Sequence, residues 1–235
     1  AEGLGFGWLD ALHPDDAADA ARVFRESMAH GAGFRCEYRL RRRDGTYRWC
    51  VDAAAPRFAN DGAYLGYIGS VVDVHDRRVG EERLAALFEQ APSFIQVLRG
   101  PEHVIERANP AYHAFVGRDE LVGRRVVDAL PEVADQGFVD MLDRVLATGE
   151  PFVGTAVPVR LVRGTDEREE RIVDFVAAPL TEPDGTRSGV VAIGNDVTEY
   201  RRAEREQAAA REAADLEQRR LTAVLAALPV GVILV

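Results

Sequence analysis

One offset recurs through this sequence and restricts it to copies of a single unit. Asp61-Gly62, Gly66 and Asp73-Val74 reappear as Asp184-Gly185, Gly189 and Asp196-Val197, each 123 residues further on. The chain is therefore an internal repeat. In both copies an apolar run ends at Asp-Val and helix-favouring residues follow; after Thr198 roughly thirty residues pass without Pro or Gly. A strand that hands over to a helix is the simplest reading. Asp196 is expected to cap that helix by accepting from its first free amides, with Glu199 placed three residues on as a capping-box acid. Asp73 and Asp76 stand in the same relation.

A second echo predicts a third unit. Leu87-Phe88-Glu89-Gln90-Ala91-Pro92 is matched by Val224-Leu225-Ala226-Ala227-Leu228-Pro229 at an offset of 137. The two offsets differ by two heptads, so a coiled-coil seam keeps its phase through both connecting helices. In the second connector the seam reads Tyr200, Gln207, Ala214, Leu221 and Leu228, with Ala203, Ala210, Glu217 and Val224 between them. Only its last two turns are strongly apolar. The spacing supports a parallel two-helix connector with a marginal first half; a single solvated helix held at its ends is the alternative.

Composition limits the function classes. A formal charge of −10, with no Lys among the 29 basic residues, argues against a nucleic-acid surface, which needs a basic stripe. There is no apolar run of about 18 residues and no signal-peptide pattern, so no membrane span and no export are expected within this segment, and a cytoplasmic location fits. Cys36 and Cys50 fall on two strands joined at Asp44-Gly45. A tight hairpin there pairs Cys36 with a residue near Ala53, leaving the thiols three or four positions out of register, roughly 10 Å apart at about 3.3 Å per residue. Free thiols are expected.

In chain order, His13-Pro14-Asp15-Asp16 opens a helix that Gly31 and Gly33 stop. Strands are expected over Phe34–Arg43, Tyr47–Phe58 and Tyr64–Asp73, then a helix over Arg77–Ala91. The second unit reads as strands Ser93–Leu98 and His103–Arg107, a short helix with Asn109 as N-cap and Pro110 first, and a possible further turn capped by Asp119. A main helix over Phe138–Thr148 follows, then strands Val153–Val162, Arg171–Leu180 and Ser188–Asp196.

Gly7-Trp8-Leu9, His13-Pro14-Asp15-Asp16, Tyr38-Arg39-Leu40, Arg43-Asp44-Gly45-Thr46-Tyr47-Arg48-Trp49 and Asp73-Val74 together resemble the C-terminal two-thirds of a Per-Arnt-Sim (PAS) sensory domain. That resemblance implies an α+β fold, a five-stranded antiparallel sheet with helices on one face, and a first unit lacking its opening two strands. The chain is expected to be an excerpt. The expected organisation is a truncated PAS-like domain over 1–76, a connecting helix over 77–91, a complete PAS-like domain over 92–198, a coiled-coil-like helix over 199–228 and the first strand of a third domain over 229–235.

The site candidates are few. Asp73, Val74, Asp196, Val197, Thr198 and Glu199 are expected to transmit signal from sheet to helix. A ligand chamber in the second unit, between main helix and sheet, would be lined by Phe138, Met141, Leu142, Phe152, Phe175 and Ile193, but the same residues suit an ordinary packed core, which is the favoured reading. The cofactor is unknown. His113 has no partner that would make it a haem or metal ligand, and the main helix carries no His. Cysteinyl-flavin photochemistry lacks its Cys near Gly123–Val133. His75 superficially resembles a phospho-accepting His, though cap geometry explains it better. Glu167, Glu169 and Glu170 read as a solvated hairpin loop. No Cys and His cluster has metal-ligand spacing, and no phosphate loop or catalytic constellation is evident.

The resulting expectation is a sensory input and relay segment of a bacterial signalling protein such as a sensor histidine kinase, phosphatase or cyclic-dinucleotide enzyme. The catalytic output domain is expected elsewhere in the same protein, and the segment to form a homodimer through its connecting helices. The alternatives are a ligand-free dimerisation spacer and a metabolite- or cofactor-binding receptor.

Overall fold

A computed structural model describes residues 7–163 and 167–227. Its contacts separate into two units, residues 1–87 and 88–235. The expected first strand of a third domain, 229–235, lies outside the described residues.

In the first unit a 3-10 turn, Gly7–Ala11, leads into helix α1, Pro14–His30. His13 is the N-cap, its Nδ1 accepting the Asp15 amide at 3.3 Å, and Pro14 occupies a first-turn position where no N–H is needed. Gly31, at φ 59°, ends the helix in the left-handed conformation that glycine adopts without a Cβ clash. Three antiparallel strands follow in the order β1 (Phe34–Arg41), β2 (Tyr47–Phe58), β3 (Tyr64–Asp73). Leu12, Ala20, Tyr38 and Cys50 form the buried core between α1 and the sheet. Asp16 ties the two layers together by accepting from the Arg39 amide and guanidinium at 2.7–2.8 Å. That guanidinium holds the Asp16 carboxyl below the usual carboxylate range. Helix α2, His75–Gln90, begins directly after β3.

The second unit has a five-stranded antiparallel sheet ordered β5-β4-β8-β7-β6, built from β4 (Phe94–Arg99), β5 (Val104–Ala108), β6 (Phe152–Arg163), β7 (Glu167–Thr181) and β8 (Arg187–Asp196). Between β5 and β6 run α3 (Pro110–Val116), α4 (Val126–Ala129), α5 (Pro131–Ala134) and α6 (Phe138–Thr148). Their buried residues Tyr112, Val116, Leu130 and Leu142 join Leu98, Ile105, Val190 and Ala192 of the sheet in one core. Helix α7, Thr198–Ala227, leaves the end of β8.

Helix α6 occupies the interval its apolar spacing predicts; α4 and α5 are single turns that the spacing does not anticipate. Strand β7 begins four residues before the expected Arg171, so Glu169 and Glu170 lie in ladder pairs with Leu161 and Arg160 rather than in a loop. The long, exposed β6-β7 ribbon explains the error, because its solvated face reads as polar loop. Asp119 starts no helix.

Asn109 is the most connected polar side chain of the second unit. It is fully buried and accepts from the amides of Ile95 and Tyr112 at 2.9 and 3.0 Å. Its amide donates to the carbonyls of Phe88, Ala91 and Ser93, so one residue joins the end of α2, the start of β4 and the cap of α3.

The cysteines are closer than the hairpin argument predicts. Arg41 pairs with Tyr47, which places Cys36 opposite Asp52 and Cys50 opposite Tyr38, two positions out of register rather than three or four. Both thiols are free. Burial, reinforced by Asp52, pushes the Cys36 thiol up to about 11, and burial also raises Cys50. Because the thiolate is the nucleophile, both should react slowly with a disulfide reagent at about pH 7.5 and faster as the pH rises toward 11. Equal rates in folded and urea-unfolded chain at neutral pH would contradict this. Asn109→Ala should destabilise the second unit by about 2–4 kcal/mol, a lost cap plus carbonyls and amides left unpaired, measured by urea unfolding followed through amide exchange. A loss below about 0.5 kcal/mol would show that the buried amide is not a structural hub.

Candidate functional site

The signal-transmission residues come together where β8 becomes α7. Asp196 Oδ1 accepts from the Thr198 amide at 2.9 Å and from the Thr198 hydroxyl. Thr198 is 3% exposed, and its Oγ1 in turn accepts the Ile172 amide of β7 at 2.8 Å. The Val197 amide donates to the Ile172 carbonyl at 2.8 Å. On the other side of the carboxylate, Arg171 lies 3.1 Å from Asp196 Oδ2 and reaches Glu169 at 2.6 Å. The helix start is therefore fastened to the neighbouring strand as well as to the one it grows from. Three links join the junction to two residues of β7, Arg171 and Ile172.

Glu199 does not close a capping box. Its carboxylate pairs with Arg202, one turn on, at 3.0 Å.

The first unit builds the same junction. Asp73 accepts from the His75 amide at 3.0 Å and pairs with Arg48 at 2.6 Å, while the Val74 amide donates to the Trp49 carbonyl at 2.9 Å. The Arg48 guanidinium, aided by the His75 amide, holds the Asp73 carboxyl at about 2. Arg48 also pairs with Asp76 at 2.7 Å, and Arg78 lies 3.8 Å over the Trp49 ring. Arg48 and Arg171 escaped the sequence reasoning, although the repeat offset relates them as it relates Asp73 to Asp196. The units differ, among other places, two residues after the Asp. Thr198 accepts a strand amide, whereas the counterpart His75 leaves its buried Nδ1 without a hydrogen-bond partner.

The second candidate lies inside the second unit. A cavity of about 70 Å³ is lined by Phe138, Met141, Leu142 and Phe175 of the expected set. Phe152 packs on Phe175, with ring centroids 5.5 Å apart, and belongs to the core beside the cavity. Ile193 is misplaced by the sequence reading: it is 45% exposed on the opposite face. Strand alternation sends Val190, Ala192 and Gly194 inward, so the residue between them points out. Two polar residues that the expected set omits, Gln96 and Tyr112, also line the space. Gln96 occupies an inward position of β4 between Phe94 and Leu98, where alternation alone would have pointed to it.

His113 and His103 each have a partner within the protein. His113 Nδ1 faces the Arg118 carbonyl at 2.9 Å, and His103, 3% exposed, pairs with Asp143 of α6 at 2.9 Å. Among the described residues no group of three or more His, Cys, Asp or Glu is placed to hold a metal ion, and no helix is long and apolar enough to cross a membrane.

Comparison with known proteins follows the same division. Residues 1–71 and 88–202 each match a family model described as PAS fold. The chain is 31% identical over 227 residues to the uncharacterised protein y4lL of Sinorhizobium fredii, covering 88% of this chain and 25% of that protein. It is 30% identical over 101 residues to the peroxide stress-activated histidine kinase mak1 of Schizosaccharomyces pombe, covering 42% of this chain and 6% of that protein. The chain thus spans a quarter or less of these relatives. A solved PAS domain from Colwellia psychrerythraea is similar at 16% identity and a TM-score of 0.41, covering 51% of this chain and 98% of that one. With both sheets antiparallel, helices packed against them, and the two matches spanning most of its length, the chain belongs to the PAS fold family, as two units in tandem.

Proposed function

We propose that the chain is a sensory input and relay segment of a signal-transduction protein, in which a change in the sheet of the second unit passes through Asp196, Val197 and Thr198 to α7. The observation that carries this reading is the fastening of α7 to β7 by Arg171, Ile172 and their partners. A displacement of β7 relative to β8 has to stretch those links, so it is felt at the first turn of the helix. The histidine kinase named among the relatives favours a kinase or similar output domain, with the catalysis lying outside this segment.

The magnitudes suit a switch. A helix cap is worth about 1 kcal/mol, and couplings between sites amount to about 1–3 kcal/mol. Helix α7 presents Tyr200, Leu221 and Val224 to solvent, more than half exposed, at positions of the expected seam. A second copy of α7 is the partner that such a seam fits, giving a weak parallel homodimer that small energies can rearrange. The acidic surface and absence of a basic stripe fit a cytoplasmic protein that does not bind nucleic acid.

Asp196→Ala should raise amide exchange across residues 198–202 by about fivefold, the equivalent of one cap, and alter basal output or its response in the full-length protein. Unchanged exchange and unchanged regulation at normal protein levels would sink the relay. Replacing Leu221 and Val224 together by Arg should shift the sedimentation of a concentrated sample toward monomer; an unaltered distribution would remove the seam as the dimer contact.

A further inference from the structure

In the first unit one aromatic ring is shared by two cations that serve different helices. Tyr38 and Cys50 lie in the buried core, so strand alternation sends Arg39 and Trp49, which stand directly opposite each other, to the other face of the sheet. There the guanidinium carbon of Arg39 lies 5.2 Å from the Trp49 ring centroid, and that of Arg78, near the start of α2, lies 3.8 Å from it. A cation within about 6 Å of an aromatic face is attracted by the ring quadrupole, and an indole is the strongest partner.

Each cation is tied to its own helix. Arg39 bonds to Asp16 in the first turn of α1 through its amide and guanidinium at 2.7–2.8 Å, and reaches Asp15 at 3.3 Å. Arg78 belongs to α2, and the Trp49 carbonyl accepts the Val74 amide immediately before that helix at 2.9 Å. Asp16, Arg39, Trp49 and Arg78 thus form a continuous line from one helix start to the other. Arg78 also pairs with Glu37 at 3.5 Å and Glu82 at 3.1 Å, but Glu37 belongs to β1 and Glu82 to α2 itself, so neither pair reaches α1.

The second unit does without this line. At the repeat offset Trp49 becomes Ile172, which faces Pro158 where Trp49 faces Arg39. Arg78 becomes Arg201, whose guanidinium turns along α7 to Glu204 at 3.0 Å. A sheet that hands over to a helix can therefore be built without the ring, and its presence in the first unit calls for a reason beyond the fold.

We propose that Trp49 is a positioning residue through which the first turn of α1 sets the start of α2, giving the first unit an input at α1 that has no counterpart in the second. A shift of Asp16 carries Arg39 with it, the ring follows, and Arg78 moves with the beginning of α2. This coupling does not rest on the relay at Asp196, which the Asp196→Ala variant tests separately.

Amide exchange in the full chain tests it, read at residues 78–82 relative to the amides of β2, which report the stability of the unit as a whole. Asp16→Asn should speed exchange at 78–82 about two- to fivefold, the equivalent of one exposed cation–π contact. Once Arg78→Met is present, Asp16→Asn should add nothing further there. Trp49→Phe, which keeps a ring face, should preserve the effect of Asp16→Asn, and Trp49→Leu should remove it. No effect of Asp16→Asn at 78–82, effects of Asp16→Asn and Arg78→Met that simply multiply, or an effect that survives in folded Trp49→Leu would each overturn the proposal. If Trp49→Leu does not fold, the Asp16 and Arg78 cycle in the unaltered ring decides alone.

Discussion

A carboxylate at the end of a strand, clamped by an arginine from the neighbouring strand, is the interaction on which both units depend. In each, the Asp of Asp-Val accepts from the first residues of the outgoing helix and pairs with an Arg one strand away, at 2.6 Å in the first unit and 3.1 Å in the second. A charge-assisted hydrogen bond in this position serves two purposes. It satisfies a helix amide that would otherwise be orphaned, and it fixes the helix start to a strand that does not lead into it. Without the arginine the carboxylate would serve only its own helix, and the neighbouring strand would hold the helix start through backbone partners alone, Ile172 in the second unit and Trp49 in the first.

The rest of the second unit is arranged around that clamp. Strand β7, which carries Arg171 and Ile172, also supplies Val173 and Phe175 to the cavity wall, so the residues nearest the clamp and those nearest the cavity are neighbours on one strand. Strand alternation separates their roles: Ile172 uses its backbone at the junction, while Val173 faces inward. Where the chain enters the unit, Asn109 performs the corresponding task for the incoming segment by binding three carbonyls over 88–93. Entry and exit are thus both held by polar side chains that bond to backbone. Such side chains define a position more sharply than apolar packing does, because their partners have direction.

Much of this was legible in the amino-acid sequence, and the failures have a common cause. The Asp-Val handover, the α6 face and the Asn109 cap are local patterns, set by spacings of one to four residues, and the repeat shows as short motifs returning at one offset. Arg48 and Arg171 were missed because their partner is chosen by cross-strand register, which the sequence does not display. Ile193 was assigned to the interior because its chemistry suits a core, yet the two-residue period of β8 places it outside. Glu199 had the right spacing for a capping box, but its carboxylate turns along the helix to Arg202 instead.

The clamp is tested most directly by a double-mutant cycle on Arg171→Ala and Asp196→Ala, read as amide-exchange protection of residues 198–202 in the full chain. If the arginine and the carboxylate act as one device, the double variant will lose little more protection than Asp196→Ala alone, with a coupling of about 1 kcal/mol or more. Losses that simply add would mean that the two residues support α7 independently, and that the helix is not joined to the neighbouring strand through their contact.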